Sequence, residues 1–293
     1  MNKRLIINLV LLLGVVALGT FVYVKKHQPD DTPRLTDIDR TKVQRIVIVR
    51  EKGNIEFSKQ HDRWYMEKPY AIAAEDFRIK RLLDLLDEPV EKAYDISEVN
   101  LQSFALDKPR AIIQFDNTEI KMGKTNPVNG KRYILVNNKL YLITENIYPL
   151  IASEPSSFVS LKLLPEDIPL TAIELPDIKI KQDDKGSWVS ETKLDADPDQ
   201  LAGFAENWKY ARAFAVHAYM QRDASQPVKL SLANNTSMNF EMSITKDWLI
   251  LGNKQLGLEY HFDQNYKNSL LKLPKPKTDT QAIKTDAKPS PDA

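Results

Sequence analysis

The sequence predicts an α+β protein: one N-terminal transmembrane helix, then two tandem repeats of mainly antiparallel strands with one main helix each. Three observations predict it. Residues 5–24 are apolar and uncharged. Alternating apolar positions broken by Asn, Asp and Gly turns fill most of the remainder. The order of those features recurs at a shift of roughly 118–124 residues. A chain of 293 residues has room for about two domains. The expected divisions are a cytoplasmic stub at 1–4, the membrane helix at 5–24, a linker at 25–41, a first repeat at 42–165, a second at 166–273 and a disordered tail at 274–293.

The apolar run holds fourteen Leu, Ile, Val and Phe side chains and no charge. A helix of that length crosses the ~30 Å hydrocarbon core, and those side chains favour insertion by about 4–8 kcal/mol before the polar ones subtract. Asn8, Thr20 and Tyr23 sit towards the ends, where they cost least. A cleaved leader is the rival reading, because Ala17 and Gly19 offer small residues at cleavage spacing, yet the apolar run continues past them. Lys3 and Arg4 place the amino terminus inside and the body outside; Lys25 and Lys26 dilute that bias. The polar, proline-broken stretch from Lys25 reads as a linker. The Lys-, Pro- and Thr-rich stretch from Pro274 has too little apolar surface to fold.

In the first repeat, strands are expected over Val43–Val49, Ile55–Ser58 and Arg63–Met66. Ile79, Leu82, Leu83 and Leu86 then mark one face of a helix that stops near Pro89. Ala111–Phe115, Ile120–Met122, Tyr133–Val136 and Leu140–Ile143 close the unit around the Asp116-Asn117 and Asn137-Asn138 turns. The second repeat follows the same order. Ala172–Leu175, Ile178–Lys181 and Ser187–Val189 precede a helix carrying Leu201, Phe204, Ala205 and Trp208. Asp197-Pro198-Asp199-Gln200 supplies its N-cap, first-turn proline and capping-box glutamine. Val228–Leu232, Phe240–Ile244, Trp248–Leu251 and Leu258–Phe262 complete the set. Short leucine-bearing segments around Tyr148–Ile151 and Tyr266–Leu271 end the two units.

Lys plus Arg (41) nearly cancels Asp plus Glu (40), which argues against a dedicated nucleic-acid binder. Cysteine is absent, which removes disulfides, thiolate metal sites, a cysteine nucleophile and N-terminal lipidation at a cysteine.

Trp64 with Pro69, the helix after them, Phe104-Ala105-Leu106-Asp107-Lys108-Pro109 leading into a strand, Met122-Gly123, Tyr133 and Leu140-Tyr141 resemble, in that order, a bacterial family known as domain of unknown function 4340. The resemblance covers about residues 43–160 well and the second half loosely. Ala105 stands where the family usually has glycine. The resemblance implies a membrane-anchored protein outside the cytoplasmic membrane of a bacterium, often encoded beside ABC transporters of the gliding-motility auxiliary type, with no catalytic residues to carry over.

No chemistry-bearing motif stands out. His27, His61, His217 and His261 form no i, i+4 pair for a zinc site, and His217 reads as a lone histidine on the second helix. Gly123-Lys124-Thr125 resembles the end of a phosphate loop, but Thr118 occupies the place of its first glycine, so the segment reads as a loop between strands. Asp195, Asp197 and Asp199 lack the glycine and terminal glutamate of a calcium loop. Glu75-Asp76 and Asp87-Glu88 read as solvated surface. No Gly-x-Ser-x-Gly elbow is present. Catalytic, cofactor and metal residues are therefore expected to be none. Trp64, Trp188 and Trp208 read as core; Tyr65, Tyr70, Tyr94, Tyr210 and Tyr219 are the candidate partner-contact residues, because interface hot spots favour tyrosine. The expected function is a non-catalytic, membrane-tethered accessory module of an envelope or transporter complex. The alternatives are an envelope hydrolase acting on glycan, or a solute-binding module using the cleft between the repeats.

Overall fold

The structure is a computed structural model that describes residues 3, 11–21, 33–144 and 146–275. The body is two antiparallel sheets with few helices. The first sheet is built from β1 (Arg45–Val49), β2 (Ile55–Gln60), β3 (Arg63–Lys68), β4 (Ile72–Ala73), β5 (Ala93–Asp95), β6 (Ala111–Phe115), β7 (Thr118–Thr125), β8 (Arg132–Val136) and β9 (Lys139–Ile143). Its strand order is β4-β3-β2-β1-β6-β7-β8-β9-β5. The second holds β10 (Leu170–Glu174), β11 (Lys179–Gln182), β12 (Trp188–Ser190), β13 (Ala215–Ala218), β14 (Gln226–Leu232), β15 (Ser237–Ile244), β16 (Leu249–Asn253) and β17 (Leu258–Phe262). Its order, β12-β11-β10-β14-β15-β16-β17-β13, is that of the first sheet with β4 left off.

Hairpin turns set the registers. Asn137 and Asn138 both take positive φ, the conformation a two-residue hairpin requires, and the turn pairs Val136 with Lys139. Alternation then sends Ile113 and Phe115 of β6, Ile120 and Met122 of β7, and Leu258, Tyr260 and Phe262 of β17 into the core. Three helices pack on the sheets: α2 (Asp76–Asp84) against β3, α4 (Pro198–Lys209) against β10 and β12, and α5 (Gln264–Leu271) against α4, β16 and β17. A single turn, α3 (Tyr148–Ile151), follows β9. The capping box of α4 forms as its sequence requires: Asp197 Oδ1 accepts from Gln200 N at 2.8 Å and Gln200 Oε1 from Asp197 N at 3.1 Å. Apolar side chains of both sheets form one continuous buried cluster, from Leu35 through Phe158 and Val159 to Leu270.

Several expectations change. Of the span expected at 5–24, residues 11–21 are described and form a helix, α1. Its Leu11, Leu12, Leu13, Val15, Val16, Leu18 and Phe21 are all exposed. The stub at 1–4 apart from Lys3, residues 5–10, 22–32 and the tail from 276 lie outside the described residues. Among the described residues no helix is long and apolar enough to cross a membrane. Residues 33–41, expected in the linker, belong to the body: Leu35 and Thr36 are buried, and Leu35 N and Thr36 N donate to Glu88 O and Leu86 O. Pro274, expected in the tail, accepts from Gln200 Nε2 at 2.7 Å. His217 lies on strand β13, not on a helix, because α4 ends at Lys209. Gly123-Lys124-Thr125 completes strand β7; a Cβ on Gly123 would stand 2.4 Å from Phe104 O, so only glycine lets that loop lie against the strand. Trp64 and Trp208 are core, whereas Trp188 is half-buried and packs against the core from its margin.

Candidate functional site

Chemistry-bearing side chains gather at two places, the junction between the sheets and the outer face of the second sheet.

At the junction, residues 159–163 run extended between the sheets. Ser160 N donates to Ala73 O at 2.9 Å on one side; on the other, Leu163 N donates to Ala211 O at 3.0 Å and Leu161 O accepts from Ala213 N at 2.7 Å. Glu75 stands at the N-cap of α2 but makes no side-chain cap bond. Its carboxylate instead accepts from Arg212 Nη2 at 2.7 Å and from Leu161 N at 3.0 Å. Read from sequence as solvated surface, Glu75 is thus a tie between the two halves. Its partners lie 86 and 137 residues away, which no local pattern signals.

Beside this strap opens a pocket of about 350 Å³, bounded by β3 and β4, by residues 160–167, and by Met238, Leu256 and Tyr260 of the second sheet. Its charged rim is internally paired. Arg63 lies 3.4 Å from Glu166 and 3.7 Å from Asp167, and Lys162 bonds Glu166, whose carboxyl is held below its ordinary range first by that bond. A second pocket, about 360 Å³, lies across Lys162, Leu164 and Pro165 and is lined by Lys209, Tyr210 and Arg212.

The five candidate tyrosines separate. Tyr65 lines the first pocket. Tyr210 lines the second, is 66% exposed, and has the Lys209 ammonium 5.0 Å from its ring centre. Tyr70 is half-buried beside Gly257 of the β16–β17 turn; burial, then the charge of Glu154, raises its hydroxyl. Tyr94 lies apart on edge strand β5 beneath Lys92. Tyr219 belongs to the outer face of the second sheet.

That face carries a network that sequence reasoning missed. Alternation turns Glu259 and His261 of β17 away from the core, yet Glu259 is only 1% exposed. Arg222 clamps it with two bonds of 2.6 and 2.8 Å, His261 Nε2 lies 2.7 Å away, and Met220 N donates at 3.0 Å. Burial works against the charge, but the bonds from Arg222, His261 and Met220 outweigh it and bring Glu259 down to about 2. Gly252 pairs with Glu241 on one side and Glu259 on the other. The Tyr219 ring lies over it, so close that a Cβ there would approach to 2.9 Å. The Tyr219 hydroxyl donates to Glu241, a bond that, ahead of burial, raises the phenol. The available signal was the Glu259–His261 spacing of two on an alternating strand, which puts both on one face. Nothing local announced Arg222.

Next to this network, rings run in contact across the face: Phe214 to Trp248 at 5.5 Å, Trp248 to His261 at 6.2 Å, and His261 to His217 at 4.7 Å. Phe214 is 70% and Ile244 49% exposed. Lys267 Nζ donates to Thr245 O and holds the tip of the β15–β16 hairpin. Among the described residues no group of three His, Asp or Glu side chains is placed to hold a metal ion.

Compared with protein families, the chain matches the model described as Domain of unknown function (DUF4340) over residues 64–235. The match opens on β3, crosses the junction and ends in the β14–β15 turn, farther along the chain than the first-repeat resemblance reaches. No curated protein and no solved structure matches it. More than half of the chain, including the strap and the first-sheet side of the junction from Trp64, lies inside the matched stretch, and the protein belongs to the DUF4340 family.

Proposed function

We propose that this chain is a non-catalytic, membrane-tethered interaction module, an accessory of a transporter or other complex in a bacterial envelope. The observation that carries the reading is the aromatic face at one end of the second sheet, where the exposed Phe214 ring packs on half-buried Trp248. Tyr210, 66% exposed at the second pocket, is a further candidate contact residue. Glu166 and Asp167, on the rim of the first pocket, face Arg63, which supports a non-catalytic role. The exposed apolar side chains of α1 support the tether, with Lys3 and Arg4 inside and the body outside. Tethering raises the effective concentration of the body near membrane partners without any new contact.

A photo-crosslinking amino acid at position 214, in intact membranes, tests this. One envelope or transport protein is expected to be captured, and capture is expected to fail when Trp248 is replaced by Ala. Recovery of the chain alone at full photolysis overturns the partner reading. Release of the chain from membranes by alkaline carbonate overturns the tether.

A further inference from the structure

The pocket at the junction holds a polar group that the fold leaves unused. Tyr260 lies on β17, buried at the inner wall of the pocket, its ring edge-on to Phe240 at 6.3 Å. Its hydroxyl makes no hydrogen bond with any described residue, and burial alone pushes it upward. Among the described residues every fully enclosed side-chain polar atom has a partner. The Tyr260 oxygen is therefore not fully enclosed, and the space it meets is the pocket that Tyr260 lines. A buried hydroxyl without a partner costs free energy, and the pocket is the route by which a hydrogen-bonding group reaches it.

The other walls define what fits. Trp64, Tyr65, Met238, Leu256 and Pro165 offer aromatic, thioether and flat apolar surface, which suits a planar ring. The rim cations Arg63 and Lys162 already have carboxylate partners, and the remaining carboxylate, Asp76, sits in the first turn of α2, where the helix N-terminus offsets its charge, so the mouth selects no net charge. The size, about 350 Å³, lies in the range of small-molecule sites, which favour interfaces between domains. We infer that the junction pocket binds a small neutral aromatic or unsaturated ring compound whose single oxygen hydrogen-bonds the Tyr260 hydroxyl. This site does not depend on the tether or on a protein partner. Its walls come from both sheets, so a ligand bound there bears on both at once.

The test uses the full chain labelled with 13C at its methionine methyls. Met238 lines the pocket, and the exposed Met220 lies elsewhere and serves as control. The probes are p-cresol and its near-isostere p-xylene, which lacks the oxygen. Saturable shifts at Met238 and none at Met220 are expected, with p-cresol bound about 3- to 10-fold more tightly. Tyr260→Phe removes only the hydroxyl and is expected to equalise the two probes while leaving the fold intact. Leu256→Trp, which fills the pocket, is expected to abolish both shifts. No saturable shift at Met238 overturns the inference, as does a preference for p-cresol that survives Tyr260→Phe. Neither result touches the crosslinking outcome at position 214.

Discussion

A single buried carboxylate illustrates how far one residue's environment can depart from its sequence neighbourhood. Glu259 occupies an alternating strand where an outward residue would normally be solvated, but residues 219–222 fold over it and supply a bidentate guanidinium. Because its folded pKa, about 2, lies below the ordinary 4.5, the bonds stabilise the protein fully above pH 4.5. That contribution is lost as pH falls through about 2. The size is about 3 kcal/mol. In urea titrations from pH 6 down to pH 2.5, the wild type is expected to lose stability steeply. Glu259→Gln is expected to start about 3 kcal/mol lower at pH 6, since half-buried Arg222 loses its carboxylate partner, and to show a shallower acid slope. Equal slopes would assign the acid loss to other carboxylates. Ala105 shows the opposite relation. It takes φ +56° at the end of a single helical turn, and the left-handed conformation explains why glycine is usual at that place.

Elements of the second half are joined by one indole. Trp208 on α4 is wholly buried and its Nε1 donates to Leu270 O of α5 at 3.0 Å. That carbonyl stands in the last turn of α5, where helix carbonyls lack intrahelical donors, so the indole caps one helix with another. Trp208→Phe keeps most of the apolar volume but leaves the carbonyl unpaired. It is expected to destabilise the protein by about 2 kcal/mol, and amide exchange should quicken in α5 more than in β1 or β6. Uniform acceleration everywhere would show that the loss is one of core volume. The two outer faces differ at this scale. Leu106, Leu135 and Leu140 form a small apolar cluster on the first sheet with Phe104 and Tyr133, whereas the loop after β13 covers the second with an ionic network. The same layout is thus kept by different chemistry, with glycine at the point of closest approach in each, Gly123 and Gly252.

At the scale of the whole molecule the two sheets share one core, and the strap and Glu75 hold the junction. Thermal unfolding is therefore expected to be a single transition. Glu75→Ala is expected to cost about 1–2 kcal/mol, chiefly through the lost bond to Leu161 N. Arg212→Ala should cost less, because the guanidinium is 44% exposed on its side chain. Exchange at the Leu161 and Leu163 amides should rise in Glu75→Ala while strand amides within each sheet stay protected. Two separate transitions in the wild type would show that the halves are energetically independent.

By itself the sequence determined the strand and helix order, the Asn-Asn hairpins, the α4 capping box, the duplication and the family. The elements, hairpins and cap follow from periods of two and 3.6 residues and from turn chemistry, readable within a few positions; the duplication follows from their recurrence in order, and the family from the resemblance of short motifs. It did not determine the short edge strands β4, β5 and β13, whose two to four residues carry too little periodicity to be told from a loop or a helix end. Nor did it determine the roles of Glu75, Arg222, Glu259 and Tyr260. Only the tertiary structure decided those, because a buried carboxylate or an unpaired hydroxyl is defined by groups tens of residues away, and sequence spacing carries no record of which distant side chain closes over which strand.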